Sequence, residues 1–281
     1  MSIILRDMIP DDWEIGYALT QQNKWAHRPD DWKTALLFGR GTVAEIDGIS
    51  VGCGMIWLWG DENAIIGHVI VDENHQGKGI GKALMEKLIS LSGERTIRLH
   101  ATQMGEGLYL KLGFKPVGRI HQHQISSLPF LMPQALPESY TIRKGNRSDC
   151  EHLTDADYKA QGFFRPEVIL HQIENEDVFI LEGSARILAM LVVRKFGHGT
   201  VIGPIMAKNR KDAELLFSHC VCPLEGQFVR VDTTDTDDFS SWLTDAGIPC
   251  IDSPTLMVKG QPHIPEDDSY HIYGMITQSM G

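Results

Sequence analysis

The stretch from residue 65 to 85, Ile-Ile-Gly-His-Val-Ile-Val-Asp-Glu-Asn-His-Gln-Gly-Lys-Gly-Ile-Gly-Lys-Ala-Leu-Met, constrains this chain more than any other. An apolar run, Ile65 to Val71, ends in a short polar link. Glycines then stand at 77, 79 and 81, and a helical pattern follows from Lys82 to Leu88. Strand, glycine-rich loop and helix start, in that order, make an anion site. The first amides of a helix have no internal partner, and the helix dipole favours negative charge beside them. Glycine lets the backbone approach a ligand with no Cβ in the way. Lys78 and Lys82 add positive charge to the same turn.

Three kinds of phosphate loop compete for this stretch. A Walker loop needs Gly at Gln76 and Ser or Thr at Ala83, and both fail. A dinucleotide loop needs G-x-G-x-x-G, but the third glycine here follows the second by two residues. The remaining pattern, Q/R-x-x-G-x-G/A at Gln76–Gly81, resembles the acetyl-CoA signature of the GNAT N-acetyltransferases. A second segment carries the same resemblance. Leu108-Tyr109-Leu-Lys-Leu-Gly113-Phe114 is similar to the L-Y-x-K-x-G-F stretch that closes a GNAT domain, and it lies in the right order and at the right separation. Gly113 suits a helix C-terminal cap.

The resemblance implies an α/β fold and acetyl-CoA as co-substrate, with no metal. It implies that Gln76, Gly77, Lys78, Gly79, Ile80, Gly81 and Lys82 hold the pyrophosphate. Backbone groups of Val69, Ile70 and Val71 would meet the pantetheine arm and the acetyl carbonyl. Many relatives carry Asn seven residues before the tyrosine and Ala four before it. Here those places hold Thr102 and Gly105, so the chain lacks the asparagine that bonds the pantetheine arm, and Thr102 stands in its place among the cofactor-binding residues.

The chain of 281 residues is long enough for one large or two ordinary domains. No apolar run approaches a membrane span, and charges at Arg6, Asp7, Asp11 and Asp12 interrupt any leader-like start. Five cysteines without metal spacing predict reduced thiols in a cytoplasmic protein. A net charge of −11 argues against nucleic acid as partner and is compatible with a cationic amine. The oligomer expected is a monomer or homodimer.

Residues 127–139 hold three prolines and read as a linker. The segment before it, 1–126, has strand and helix signals in the GNAT order β-α-α-β-β-β-α-β-α-β. Asp11 and Asp30 stand as N-caps of its early helices (Asp11–Gln22 and Asp30–Phe38), and Asp47-Gly48 as a hairpin turn. The segment after it, 140–281, repeats that order and ends in strands near 254–259 and 270–277. Gly203-Pro-Ile-Met-Ala-Lys-Asn209 parallels Gly67-His-Val-Ile-Val-Asp-Glu73, but the chain then enters Arg210-Lys-Asp-Ala with no glycine loop. Leu243 stands where Tyr109 stands in the first half. Ile202-Gly-Pro-Ile and the closing Gly274-Met-Ile-Thr-Gln-Ser-Met-Gly281 resemble the C-terminal domain of YitH-type tandem GNAT proteins. The expectation is two tandem GNAT-like domains, each a mostly antiparallel mixed sheet flanked by helices, the second without cofactor motifs.

Acyl transfer to an amine needs a held thioester, a neutral amine, charge stabilisation on the carbonyl oxygen and a proton for the leaving thiolate. The resemblance makes Tyr109 the general acid; a phenol with a pKa near ~10 is protonated at neutral pH beside a thiol near ~8.5. His68 is the candidate base, with a water chain as the alternative. Strict strand alternation groups residues 65, 67, 69 and 71 and leaves His68 on the opposite face, unless a bulge intervenes. Trp25, His27 and Trp57, the last sharing a strand face with Trp59, are candidates to wall a pocket for the amine. His121-Gln-His123 lacks a third metal ligand and reads as surface. Asp232-Thr-Thr-Asp-Thr-Asp-Asp238 lacks the glycine and distal Glu of a calcium loop and reads as helix capping. The function expected is acetyl-CoA-dependent N-acetylation of a small primary amine by direct transfer. The alternative is an acyl-CoA sensor whose acidic second half recruits a protein.

Overall fold

A computed structural model describes residues 2–234, 238–266 and 268–281. The first half runs β1 (Ile4–Asp7), α1 (Trp13–Gln22), α2 (Pro29–Phe38), β2 (Arg40–Ile46), β3 (Ile49–Trp59), β4 (Asn63–Val71), α3 (Ile80–Leu91), β5 (Thr96–Ala101), α4 (Glu106–Lys111) and β6 (Lys115–Ile125), the predicted order. The second half runs β7 (Tyr140–Lys144), α5 (Cys150–Gln161), α6 (Pro166–Asn175), β8 (Asp177–Gly183), β9 (Arg186–Phe196), β10 (Gly199–Ala207), α7 (Arg210–Val221), β11 (Val229–Thr234), α8 (Phe239–Asp245), β12 (Cys250–Asp252), β13 (Thr255–Lys259) and β14 (His271–Gly274). Among the described residues, no helix is long and apolar enough to cross a membrane.

The early helical turns open on Pro10 and Pro29, where a missing N–H costs nothing. The carboxylates that cap them are Asp12 and Asp31, not the expected Asp11 and Asp30. Asp12 Oδ2 accepts the Ile9 amide at 2.7 Å, and Asp31 Oδ2 accepts the Arg28 amide at 2.8 Å. A carboxylate in the third position of the turn reaches back to the amide before it.

The sheet order is β1-β2-β3-β4-β5-β13-β6-β11-β10-β9-β8-β7, with β12 on β6 and β14 on β10. The two halves exchange strands. β13 lies between β5 and β6, antiparallel to both, so residues read from sequence as the end of the second half close the sheet of the first. β6 in turn runs antiparallel to β11 of the second half, with Ile125 opposite Val229 and Gln122 opposite Asp232. Hydrophobic alternation tells a strand which face to bury, but not which neighbour to pair with, so this exchange is invisible to periodicity.

Apolar residues fill both sides of the sheet. On one side Trp32, Trp57, Ile65 and Ile70 pack with α1 and α2; on the other Ile56, Ala64, Ile66 and Leu99 pack under Met85 and Leu88 of α3. A buried ion pair at the junction, Arg165 Nε to Asp157 Oδ2 at 2.6 Å, is completed by the Met280 carbonyl at 2.7 Å from Arg165 Nη1. Asn63 Nδ2 donates across to the Gly162 carbonyl at 2.8 Å. Residues 275–281 thus lie locked between the halves.

Candidate active site

β4 and β5 are parallel neighbours only over Asn63–Ile65 against Thr96–Arg98; beyond Ile65 the strands part. On that edge the backbone of β4 has no strand partner among the described residues, which leaves amides and carbonyls for a ligand. Val69, Ile70 and Val71 occupy the parted section. α3 begins just past it. Its N-cap, Gly79, has φ +83° and supplies no side-chain cap, and Gly77 has φ +74°. A left-handed backbone at two places suits glycine, and nothing lies within 4 Å of where a Cβ would stand at either. The loop from Gln76 to Gly79 is exposed. Gln76 Nε2 reaches the Val71 carbonyl at 3.4 Å, Lys78 Nζ the Asn74 carbonyl at 3.0 Å, and Lys82 pairs with Glu86 at 3.6 Å.

The central strand does not alternate strictly. Cys53 faces Ile70 and Met55 faces Gly67, so His68 and Val69 together oppose Gly54. This is a β-bulge, and His68 carries its strain with φ +52°. The consequence corrects the simple face assignment. Val69 and Val71 pack towards α3, whereas His68 and Ile70 join Ile65 on the face of α1 and α2. His68 lies 4.5 Å from the Trp32 ring and 5.5 Å from that of Trp57. Its Nε2 is 3.0 Å from His27 Nε2 and 3.2 Å from Ser279 Oγ of the closing segment. The Nδ1 atoms of both rings are buried without a partner among the described residues. Burial pushes His27 down to about 4, and burial plus the neighbouring ring holds His68 well below its ordinary value. Both rings are therefore neutral at pH 7, and one proton serves the short Nε2–Nε2 axis. His100 on β5 is likewise pushed by burial to about 4; its Nδ1 donates to the Gln278 carbonyl.

These histidines border a cavity of about 300 Å³ lined by residues of both halves. Trp25, His27, His68 and Thr102 contribute from the first half, Phe196, Arg230, Gln278 and Ser279 from the second. The expected wall of Trp25 and His27 is therefore only one side of the observed cavity. A larger open groove, about 740 Å³ along Asp7–Asp11 and Leu36–Gly41, touches no predicted site residue.

The predicted pocket residue Trp57 is packing instead, as is its face partner Trp59. Trp57 is fully buried, its Nε1 donating to the Ala35 carbonyl at 3.0 Å; Trp59 donates to the Met280 carbonyl at 3.3 Å. His123 is also buried rather than at the surface, its ring nitrogens held by the Ile248 carbonyl at 2.7 Å and Ser240 Oγ at 2.8 Å. In the acidic run, Asp232 is buried in β11, and Asp238 precedes α8; residues 235–237 lie outside the described residues.

Tyr109 is not among the residues lining the cavity. It sits on α4, whose first amides, Gly105 and Glu106, bond to the carbonyl of the cavity residue Thr102 at 3.0 and 3.1 Å. Its ring packs edge-on against Phe114 at 6.1 Å and folds back over Gly105. A Cβ at 105 would stand 2.8 Å from that ring, which explains why this chain departs from alanine there. Burial pushes the Tyr109 phenol up to about 12, so it stays protonated at neutral pH.

Sequence reasoning missed the contribution of Phe196, Arg230, Gln122, Gln124, Gln278 and Ser279. No motif marks them; only the strand exchange brings Phe196, Arg230, Gln278 and Ser279 to the first half and sets Gln122 and Gln124 of β6 beside β11. A hint lay in the closing Gly274–Gly281 segment, which carries a resemblance but no recognisable chemistry.

Comparison with known proteins agrees with this architecture. Family models described as "Acetyltransferase (GNAT) domain" match residues 38–116 and, separately, 153–274. The uncharacterized N-acetyltransferase YitH of Bacillus subtilis (strain 168) is 25% identical over 240 residues, covering 84% of this chain and 83% of its own. The crystal structure of a putative acetyltransferase from Pyrococcus horikoshii superposes with a TM-score of 0.81 at 21% identity, over 99% of this chain and 96% of that one. A tandem GNAT protein from the clavulanic acid biosynthesis pathway superposes with a TM-score of 0.67 at 14% identity, over 93% of this chain and all of that one. With one family matched twice along its length, the chain is a tandem GNAT protein, an acetyltransferase of that family.

Proposed function

We propose that the protein transfers an acetyl group directly from acetyl-CoA to the primary amine of a small molecule, with the chemistry confined to the first half. The observation that carries this reading is the parting of β4 from β5 between two complementary features. An uncapped glycine loop lies at one end, and a polar cavity with paired neutral histidines opens at the other.

In this reading Gln76 to Lys82 hold the pyrophosphate through loop and helix amides, and the unpaired edge of β4 at Val69–Val71 holds the pantetheine arm and polarises the acetyl carbonyl. Thr102 stands at the mouth of the parting. His68, with His27 beside it, takes the proton that the amine loses. Neutral rings can accept a proton, but their lowered pKa values make them weak bases, so water in the cavity shares that work. Tyr109 supplies the proton to the departing thiolate. Its raised pKa keeps the phenol protonated at neutral pH and also makes it a weaker acid than a free phenol. Trp25 and His27 form one wall for the acceptor, and the second half forms the other.

The test is release of free CoA from acetyl-CoA with a panel of amino acids, amino sugars, polyamines and peptides, alongside calorimetric binding of CoA. Turnover with at least one amine is expected. Saturable CoA binding with no turnover across the panel favours an acyl-CoA sensor instead. No CoA binding removes both readings.

A further inference from the structure

The acceptor end of the cavity has a directional hydrogen-bond ladder. It starts at Asp232 of β11, which is buried and ionically bound to Arg230: Nη2 to Oδ2 at 2.9 Å, and Nε to Oδ1 and Oδ2 at 3.1 and 3.2 Å. A carboxylate so held only accepts. Gln278 Nε2 therefore faces it, at 3.2 Å from Oδ1, and also donates to Gln122 Oε1 at 2.9 Å. That orients Gln122 so that its own Nε2 donates to Gln124 Oε1 at 3.1 Å. Each amide passes the same polarity to the next. The ladder ends in Gln124 Nε2, which makes no hydrogen bond among the described residues.

Arg230 stands directly opposite Gln124 in the antiparallel pairing of β11 with β6. Its Nη1 makes no hydrogen bond among the described residues either. Both residues line the cavity. Residues directly opposite on neighbouring strands share a face, with Cβ atoms about 5 Å apart. Two uncommitted donor groups, one of them cationic, thus meet at the cavity wall. The charges lining the cavity are Lys24, Arg230 and an exposed Asp252; Asp232 behind the wall pairs with Arg230 through Nε and Nη2, and Asp252 Oδ1 is engaged by the Ser253 amide at 2.8 Å.

A wall that ends in donors calls for a ligand group that only accepts, and a guanidinium favours a charged one. We propose that Arg230 and Gln124 form a subsite for the carboxylate of the acceptor, so that the amine substrate is an amino acid rather than a polyamine or a simple alkyl amine. The proposal rests on the acyl-transfer reading above. It gives the degenerate half a defined role, because that half selects the acceptor through β11 and through Gln278 of the closing segment.

The test compares matched acceptors: α-amino and ω-amino acids of increasing length, each beside its methyl amide. With the intact chain, at least one acid should exceed its methyl amide in kcat/KM by about 10- to 100-fold, the range expected for a charge-assisted pair. Arg230→Gln should erase that preference rather than merely slow the enzyme. Gln124→Glu, which keeps both Arg230 and Asp232 in the chain, should reverse it. Unchanged CoA affinity in both variants shows that each is folded. Equal use of acid and amide by the intact chain overturns the proposal, as does a preference that survives both substitutions.

If no amine is acetylated at all, the acyl-transfer reading has failed, and the subsite is judged by binding alone. The protein loaded with CoA is then titrated calorimetrically with the same acids and amides. Saturable binding of an acid, weakened about tenfold or more in Arg230→Gln, supports the carboxylate subsite. No saturable binding of any acid overturns it.

Discussion

The two halves carry the same strand and helix order, yet they treat the parting of their central strands in opposite ways. In the first half β4 leaves β5 after Ile65, and no strand among the described residues fills the gap. In the second half β10 meets β11 only at Thr200–Val201, and β14 then fills the gap, antiparallel to β10 from Ile205 to Ala207. The helix that follows shows the same contrast. α3 begins at Gly79 with no side-chain cap, whereas α7 is capped by Asn209, whose Oδ1 accepts the Asp212 amide at 3.0 Å. One half leaves backbone donors exposed where a diphosphate can use them; the other satisfies its donors internally. Both retain a bulge at the matching place, around His68 and around Gly203-Pro204. The lesson is that one order of elements can either expose or satisfy the donors at its strand parting. Here a strand in the gap and an asparagine at the helix start make that difference.

The largest effect expected from breaking this contrast lies at the position that differs most in chemistry, Tyr109 against Leu243. Tyr109→Phe should lower kcat by about 10²-fold, the lower end for loss of a general acid, with little change in CoA affinity. Steady-state turnover beside a calorimetric CoA titration checks both parts, and equal turnover removes the role assigned to the phenol. Gly79→Val comes next. A β-branched residue at φ +83° costs about 1–2 kcal/mol and puts a side chain where a phosphate would sit, so CoA should bind at least about tenfold more weakly. Unaltered affinity would mean that the loop does not hold the cofactor.

How far the sequence could be read follows the same contrast. The loop at 76–81, the segment around Tyr109 and the order of elements were legible because local spacing encodes them. The bulge was legible only as a possibility, since one extra residue in a strand leaves no compositional mark. The exchange of β6 and β13 was not legible, because two antiparallel strands of ordinary pattern can pair with many neighbours. Everything that depends on the exchange was lost with it: the cavity between the halves, the opposition of Arg230 and Gln124, and the arrival of Ser279 beside His68. Trp57 misled because an aromatic in a strand looks the same whether it walls a pocket or fills a core.

A smaller effect concerns acid. Burial pushes His27 and His100 down to about 4 and holds His68 well below its ordinary 6.5. The unfolded chain takes up protons near 6.5 and the folded chain does not, so stability is full above that pH and falls as pH drops from about 6.5 towards about 4. The exchange ties these first-half histidines to both halves. Thermal unfolding followed across that window should therefore show one transition moving to lower temperature, not two separating. A first transition that moves while a second stays fixed would show that the halves are independent despite the shared sheet. His27→Gln should make the pH dependence shallower.

The smallest effect probes the cap that distinguishes α7 from α3. Asn209→Ala removes the side-chain oxygen that accepts the Asp212 amide and also frees Asp212, whose Oδ2 accepts from Asn209 Nδ2 at 2.8 Å. Loss of a helix cap costs about 1 kcal/mol, which should appear as a small drop in denaturant midpoint at unchanged slope. CoA affinity should not change. Uncapping α7 exposes helix amides but leaves β14 in the gap beside it, and a phosphate loop without a channel for the pantetheine arm gains nothing. If Asn209→Ala instead created a second CoA site, the internal cap alone would be what separates the two halves, and the strand in the gap would count for less than its position suggests.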